Sequence, residues 1–327
     1  LRQFQCQIFI AATQEQRKML EYEFNGLNYV QIEGYNVRYG STSNHLAITI
    51  LRQIPRLYGV IRREKAWLCD QMNIHGFDLV ISDNRYGLYH PNTFSVFITH
   101  QLSIISGLGT VADYFLRKLH YQWIRRFNAC WVPDAEGMPN LSGMLGHPAQ
   151  KPPHTSYLGP ISRLEPVPGN DRLDLLIILS GPEPHRTVVE SILMVQLQSF
   201  TGSWFMVRGI PSEHPSYHPF IVNYMGKTAL NQSISNAGMV ITRSGYTSIM
   251  DLVKLQKKAI LIPTPGQTEQ EYLACYMHEQ GVFMKAGQQS FNLQEALHQS
   301  SHFPFKKLQP DFHEYRAVLT RIMQSLP

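Results

Sequence analysis

The chain has 327 residues, of which 43% are apolar and 16% charged, with Pro and Gly scattered along it. This composition excludes disordered, collagen-like and coiled-coil proteins and, at roughly 150 residues per domain, predicts two folded domains. The net charge of +5 is too mild to assign a nucleic-acid partner, and most of its excess lies in residues 1–158, which hold 15 Lys/Arg against 11 Asp/Glu.

A polar segment leads from Leu1 into the strand-like Cys6–Ile10 without the architecture of a signal peptide, and the natural N-terminus is expected upstream. The four cysteines, at 6, 69, 130 and 275, form no C-x-x-C pair. They read as small buried residues of a cytoplasmic protein in a reducing compartment. The longest apolar runs, such as Leu175–Leu179, have strand length and fall far short of the ~20 residues that span a membrane.

Runs of β-formers at Cys6–Ile10, Asn28–Ile32, Asp78–Ser82, Phe94–Thr99 and Ala129–Val132 are separated mostly by helical patterns. In the helical stretch 51–68, Arg52, Arg56, Arg62, Arg63 and Lys65 interleave with apolar residues such as Leu57, Tyr58, Ile61 and Leu68. That pattern fits a helix packed on its own sheet or one touching an anionic membrane surface. Proline-rich residues 146–171 read as a linker. The alternation then restarts, with strands at Leu173–Ser180, Ser203–Arg208, Gly238–Thr242 and Ala259–Pro263 and helices near 186–199, 228–236, 246–257 and 268–280. Strand-helix alternation with right-handed crossovers predicts two doubly wound parallel α/β domains, 1–158 and 159–310, with a helix in 311–327 packing back on the first. Ligands of such sheets bind beyond the carboxyl ends of the strands, so two domains facing a common cleft would present their chemistry in the turns that follow strands.

Three such turns occur in the second half. After Gly238–Thr242 comes Arg243-Ser244-Gly245 and a helix carrying Ser248 and Asp251, a start whose free N–H groups suit an anion and whose carboxylate suits paired sugar hydroxyls. The same residues also fit an ordinary cap at Ser244 and a solvated charge at Asp251. After Pro263, Thr268 is the expected cap of a helix carrying Glu269 and Gln270, and an amide there can both donate to and accept from hydroxyls. The third turn is Ser180-Gly181-Pro182, whose small residues permit close approach of a phosphate. In the first half, Asp83 and His100 each follow an apolar strand. Either can serve as a general base or simply hold a turn. No His or carboxylate spacing matches a metal site.

Arg-Ser-Gly with an acid eight positions after the Arg, then strand-Pro-loop-Gln-helix about 20 residues on, resembles the donor domain of family-28 glycosyltransferases, the MurG-like UDP-GlcNAc transferases, across about residues 174–285. The resemblance implies a GT-B fold of two Rossmann-like domains, a UDP-sugar donor held by the C-terminal one, a sugar or lipid-linked acceptor held by the N-terminal one, and no cofactor or metal. By position, Asp251 matches the ribose-binding acid and Gln270, beside Glu269, a donor-sugar contact. Ser244, Gly245 and Arg243 match the pyrophosphate-facing helix start, and Tyr224-Met225-Gly226 lies where the family holds uracil. The chain departs from the family at Ser180-Gly181-Pro182, where a Gly-Gly-Ser-like loop is usual, and at Glu269, where another Gln is usual. Phe77–Gly87 and Phe97–Gln101 match the N-terminal half more loosely, and the family's Gly-x-Gly-His turn is absent from these residues. Two other readings share the nucleotide site: a UDP-sugar 2-epimerase and a non-catalytic nucleotide-sugar binding protein.

Overall fold

The alternating pattern folds into sheets whose strand pairs are all parallel among the described residues. The computed structural model describes residues 1–24, 26–34, 46–169, 173–210 and 218–326. It divides into two units, Leu1–Ile161 with Asp311–Pro327, and Ser162–Pro310.

The first unit contains β1 (Phe9–Ala12), α1 (Gln14–Glu23), β2 (Asn28–Gln31), α2 (Leu46–His75), β3 (Leu79–Asp83), β4 (Phe94–Ile98), α3 (Thr110–Ile124), β5 (Ala129–Val132) and β6 (Thr155–Tyr157). Helix α1 starts at a capping box in which Thr13 Oγ1 accepts from the Gln16 amide and Gln16 Oε1 accepts from the Thr13 amide. Strands β1 and β2 form one sheet, and β3-β4-β5-β6 form another in that order. Central β4 and β5 are almost wholly buried, with Val96, Phe97, Cys130 and Val132 at 0% exposure, so they read as apolar runs rather than as alternating strands. Strand β6 lies inside the proline-rich stretch that the sequence marked as a linker. Its backbone pairs with β5, Thr155 against Cys130, and the break between units comes after it.

The second unit contains β7 (Leu173–Ile178), α4 (His185–Leu197), β8 (Trp204–Val207), β9 (Ile221–Val222), α5 (Lys227–Asn236), β10 (Ala237–Thr242), α6 (Tyr246–Lys254), β11 (Ala259–Leu261), α7 (Thr268–Glu279), β12 (Met284–Lys285) and α8 (Leu293–Ser300). Its strand order is β12-β11-β10-β7-β8-β9. Numbered within the unit, that is the Rossmann order 3-2-1-4-5-6. Leu175 and Ile177 of β7 join Val189 and Leu193 of α4 in the core.

The last helix, α9 (Tyr315–Ser325), belongs to the first unit. Its Tyr315, Val318, Leu319 and Ile322 cover Val96, Trp131 and Leu158. In α2 the residues Ile61, Glu64 and Leu68 are buried while Arg56, Arg62 and Arg63 are exposed. Arg52 lies outside the described side chains. Among the described residues no helix is long and apolar enough to cross a membrane.

Candidate functional site

In a doubly wound sheet the crevice opens where the strand order reverses, because the crossovers on either side leave in opposite directions. In the second unit that point lies between β7 and β10, which pair with Ile178 against Thr242. The turn Ser180-Gly181 and the turn Arg243-Ser244-Gly245 therefore leave the sheet side by side, and the turn after β11 is the next neighbour, with Thr242 against Leu261. Three of the turns named from sequence thus converge on one end of one sheet. The 520 Å³ cavity of this unit lies at the opposite, amino ends of the strands, beside Asp174, Gly238 and Lys258.

Gly181 has φ +97°, in the region that favours glycine, and a Cβ built on it would stand 3.6 Å from Thr264 Oγ1. Thr264 is 1% exposed, and among the described residues its buried hydroxyl has no hydrogen-bond partner, nor do the buried atoms Thr242 Oγ1 and Arg243 Nε. Buried polar atoms are normally paired, and a concentration of unpaired ones at a crevice marks a place where a ligand's polar groups fit. Thr264 was not singled out by sequence, since nothing distinguishes it from other loop threonines until its hydroxyl is seen to be enclosed.

Helix α6 begins at Gly245, which makes no side-chain cap, and a Cβ there would meet nothing within 4 Å. The first amides of α6, through half-buried Ser248, are thus a helix start open to an anion. Ser244 is not the cap. It is fully buried, and its Oγ donates to the Gln270 carbonyl at 2.7 Å, fastening the start of α6 to α7.

Arg243 also differs from its sequence reading as a neighbour of the diphosphate. Its side chain is 1% exposed, with Nη1 donating to the carbonyls of Ile262 at 3.1 Å and Pro263 at 3.2 Å, and Nη2 to that of His185 at 2.7 Å. Burial pushes its pKa down to about 10, still charged at neutral pH. Its hydrogen-bonding arms brace the loops after β7 and β11. Gln270 is likewise turned inward: its Oε1 accepts from the Thr264 amide at 3.0 Å and its Nε2 donates to Gln267 Oε1 at 2.5 Å. It shapes the loop, and the helix cap is Gln267 rather than Thr268. Glu269 is half-buried in the first turn of α7.

Asp251 sits one turn beyond Ser248 on α6 and accepts from Ser162 Oγ at 2.5 Å. Burial raises its carboxyl above the ordinary value, against the lowering effect of Ser162 and of the Arg163 charge. Tyr224-Met225-Gly226 follows edge strand β9; Gly226 opens α5 without a side-chain cap, and Met225 Sδ accepts from Ser233 Oγ.

In the first unit, β3 and β4 pair with Asp83 against Ile98, so Asp83 and His100 leave adjacent strand ends. Surrounding protein raises the Asp83 carboxyl and the His100 charge opposes the rise; the residue's own exposure limits both effects. Two buried devices hold this rim. Glu64 of α2 accepts from Arg85 Nε at 2.6 Å and from the Gly87 amide at 2.9 Å, and a Cβ on Gly87 would collide with Glu64 Cβ at 2.4 Å. His120 of α3, 3% exposed, meets Tyr86 Oη at 2.7 Å through Nδ1 and the Gln101 carbonyl at 3.0 Å through Nε2. A carbonyl only accepts, so Nε2 carries the proton and Nδ1 accepts from Tyr86. Among the described residues no group of three His, Cys, Asp or Glu is arranged to hold a metal ion.

Residues 211–317 match the Glycosyltransferase family 28 C-terminal domain. No curated protein matches the sequence. The fold is similar to the glycosyltransferase SnogD from Streptomyces nogalater, at 12% identity and TM-score 0.58 over 100% of this chain and 89% of that one. It is similar to Acinetobacter baumannii MurG, at 13% identity and TM-score 0.54 over 100% and 93%. It is also similar to a putative UDP-N-acetylglucosamine 2-epimerase from Listeria monocytogenes, at 12% identity and TM-score 0.52 over 91% and 83%. At these identities the likenesses carry the fold, which is GT-B with two Rossmann-like domains. The matched C-terminal domain supports a nucleotide-sugar glycosyltransferase.

Proposed function

We propose that this protein transfers a sugar, GlcNAc in the family-28 reading, from a UDP-sugar to a hydroxyl of a sugar or lipid-linked cell-envelope acceptor, without a metal or cofactor. The observation that carries this reading is the convergence, at the β7/β10 reversal, of an open helix start, unpaired buried hydroxyls and a carboxylate on the same helix. In this reading the amides from Gly245 to Ser248 and the Ser180-Gly181 turn receive the diphosphate, where helix polarity neutralises the charge that develops as it leaves. Asp251 accepts from the ribose hydroxyls, Tyr224-Met225-Gly226 borders the base, and Glu269 and Gln270 border the sugar. Arg243 and Ser244 act by holding the loops.

The first unit supplies the acceptor side. The acceptor oxygen bonds to the anomeric carbon as the bond from that carbon to the phosphate oxygen breaks. The nucleoside diphosphate leaves with the electron pair, and Asp83 or His100 takes the acceptor's proton. The exposed Arg56, Arg62 and Arg63 of α2 give the first unit a cationic face for an anionic membrane surface on the cytoplasmic side. Of the apolar positions that interleave with them, Ile61 and Leu68 are buried in the fold while Tyr58 is exposed.

Titration of the purified protein with UDP and with TDP, followed by incubation of a UDP-sugar with envelope extract with and without EDTA, tests the reading. Nucleotide binding with chelator-resistant, acceptor-dependent release of UDP is expected. A likeness to a putative 2-epimerase makes epimerisation the second reading, and the products separate the two, since an epimerised UDP-sugar forms without acceptor or UDP release. Failure to bind any nucleoside diphosphate overturns both.

A further inference from the structure

The cavity at the amino ends of the second unit's strands gathers charge that the unit as a whole does not have. Residues 162–310 hold 12 Lys/Arg against 11 Asp/Glu, so the unit is nearly neutral. Four of those cations, Lys257, Lys258, Lys306 and Lys307, nevertheless line this one cavity of 520 Å³ beside a single acid, Asp174. They come from two segments far apart in sequence, the turn between α6 and β11 and the stretch that follows α8, so the fold brings them together. Lys258, Lys306 and Lys307 are exposed and form no ion pair among the described residues. Asp174 Oδ2 already accepts from the Ser203 amide at 2.7 Å and from its hydroxyl at 2.8 Å.

The walls of this cavity are pinned. The Lys306 amide donates to the Gly281 carbonyl at 2.8 Å, and Gln256 Nε2 donates to the carbonyls of Val253 at 2.8 Å and Leu308 at 2.6 Å. Lys257 Nζ donates to the Ser235 carbonyl at 3.0 Å. Buried Leu252 and Phe283 give the cavity an apolar floor, and Lys258 Nζ lies 5.7 Å from the centre of the half-buried Phe305 ring. Gln256 sits in the left-handed region at φ +54°, and its buried Oε1 has no hydrogen-bond partner among the described residues.

We propose that this cavity is a second ligand site, separate from the nucleotide rim, and that it binds a small phosphate monoester with a hydroxyl-bearing ring, a sugar phosphate in chemical class. A concave surface lined by one sign of charge over low-dielectric walls focuses its field and concentrates counter-ions. Lysines hold a phosphate as point charges, and Lys258, Lys306 and Lys307 supply three that no carboxylate engages. The cavity volume exceeds what a lone phosphate fills and lies in the range of small-molecule pockets. The ring of the ligand packs on Phe305 and Leu252, and one of its hydroxyls supplies the donor that Gln256 Oε1 lacks. Gly238 at the cavity and Thr242 at the nucleotide rim stand at opposite ends of β10, roughly 13 Å apart at the rise of a strand, so one small ligand does not fill both. The unit boundary falls at Pro310, just beyond Leu308, and an occupant therefore grips the segment by which the chain leaves this unit.

Calorimetry at fixed ionic strength tests this with glucose 6-phosphate, glucose and inorganic phosphate as probes, on the wild-type chain and on the triple variant Lys258→Gln, Lys306→Gln, Lys307→Gln, each with and without saturating UDP. These lysines are exposed, so the variant is expected to melt within a few degrees of wild type. Glucose 6-phosphate is expected to bind one per chain, more tightly than either glucose or phosphate, with an affinity that UDP changes less than twofold and that the variant lowers at least tenfold. The variant's affinity for UDP should stay within twofold of wild type. No binding of glucose 6-phosphate overturns the proposal, as does equal binding by the variant or displacement by UDP. Lysine-dependent capture on phosphatidylglycerol vesicles without binding of the free ester overturns it in favour of a membrane-facing patch. A chain that binds glucose 6-phosphate in this way but no nucleoside diphosphate fails as a nucleotide-sugar transferase and leaves this site standing.

Discussion

Gly181 and Thr264 face each other at the reversal of the second sheet: a side chain on the first would touch the enclosed, unpaired hydroxyl of the second. One turn follows β7 and the other follows β11, so the contact spans β10 and defines the width of the rim. An unpaired buried hydroxyl costs about 1–3 kcal/mol in the empty protein and is compensated when a ligand supplies the missing bond. Thr264→Val keeps the shape and removes the hydroxyl. It is expected to leave urea stability unchanged or raised by about 1 kcal/mol, while UDP affinity measured by calorimetry falls at least fivefold.

Asp251→Ala is expected to weaken UDP binding tenfold or more, since a hydrogen bond to a charged group is worth about 1.5–3 kcal/mol. Acidity gives a second test. Burial raises this carboxyl above its ordinary value of 3.8, so wild-type affinity should fall with decreasing pH sooner than an exposed carboxylate would allow. Stability runs the other way, because a group that holds its proton more tightly when folded stabilises the fold at low pH and loses that contribution as pH rises through the folded value. Titrations across the acid range, with Asp251→Asn as the reference, check both signs.

His120 is enclosed and uncharged, its pKa pushed down to about 4 from an ordinary 6.5 by burial, with the Gln101 carbonyl pulling the other way. The unfolded chain takes up a proton below 6.5 and the folded one does not. The contribution of this site is therefore complete above 6.5 and falls with pH, by roughly 3 kcal/mol on reaching pH 4. Urea unfolding at pH 7 and pH 5 should show the loss, and His120→Gln should flatten the dependence between them.

Asp83→Asn and His100→Ala are expected to lower turnover by about 100-fold or more for whichever is the base, with UDP affinity within twofold of wild type. A comparable fall in UDP affinity for either variant would remove the division of labour between the units. The carboxyl of Asp83 is raised by its surroundings, so if it is the base, the acid limb of the rate profile should lie above 3.8.

The parts legible in the sequence were those whose signal is local. Leu173–Ile178 reads as a strand because a central strand buried on both faces is a continuous apolar run, and Gly245 and Asp251 lie within seven residues of each other on one helix. Strands β9 and β12, two residues each, carry no periodicity at all. Strand β6 was hidden by neighbouring prolines that stop short of Thr155. The true postures of Arg243, Ser244 and Gln270 depend on partners such as His185, which is 58 positions away from Arg243. A cation at a strand end reads as a ligand contact until the carbonyls that surround it are known.

The bracing by Arg243 limits how this rim can be re-engineered. One guanidinium spans carbonyls contributed by two different crossover loops, so the spacing of each loop is conditional on the other. A segment after β11 grafted from a relative would bring its own backbone path and lose the geometry that the arginine grips. Exchange of donor preference by transplantation must therefore move the turns after β7, β10 and β11 as one cassette.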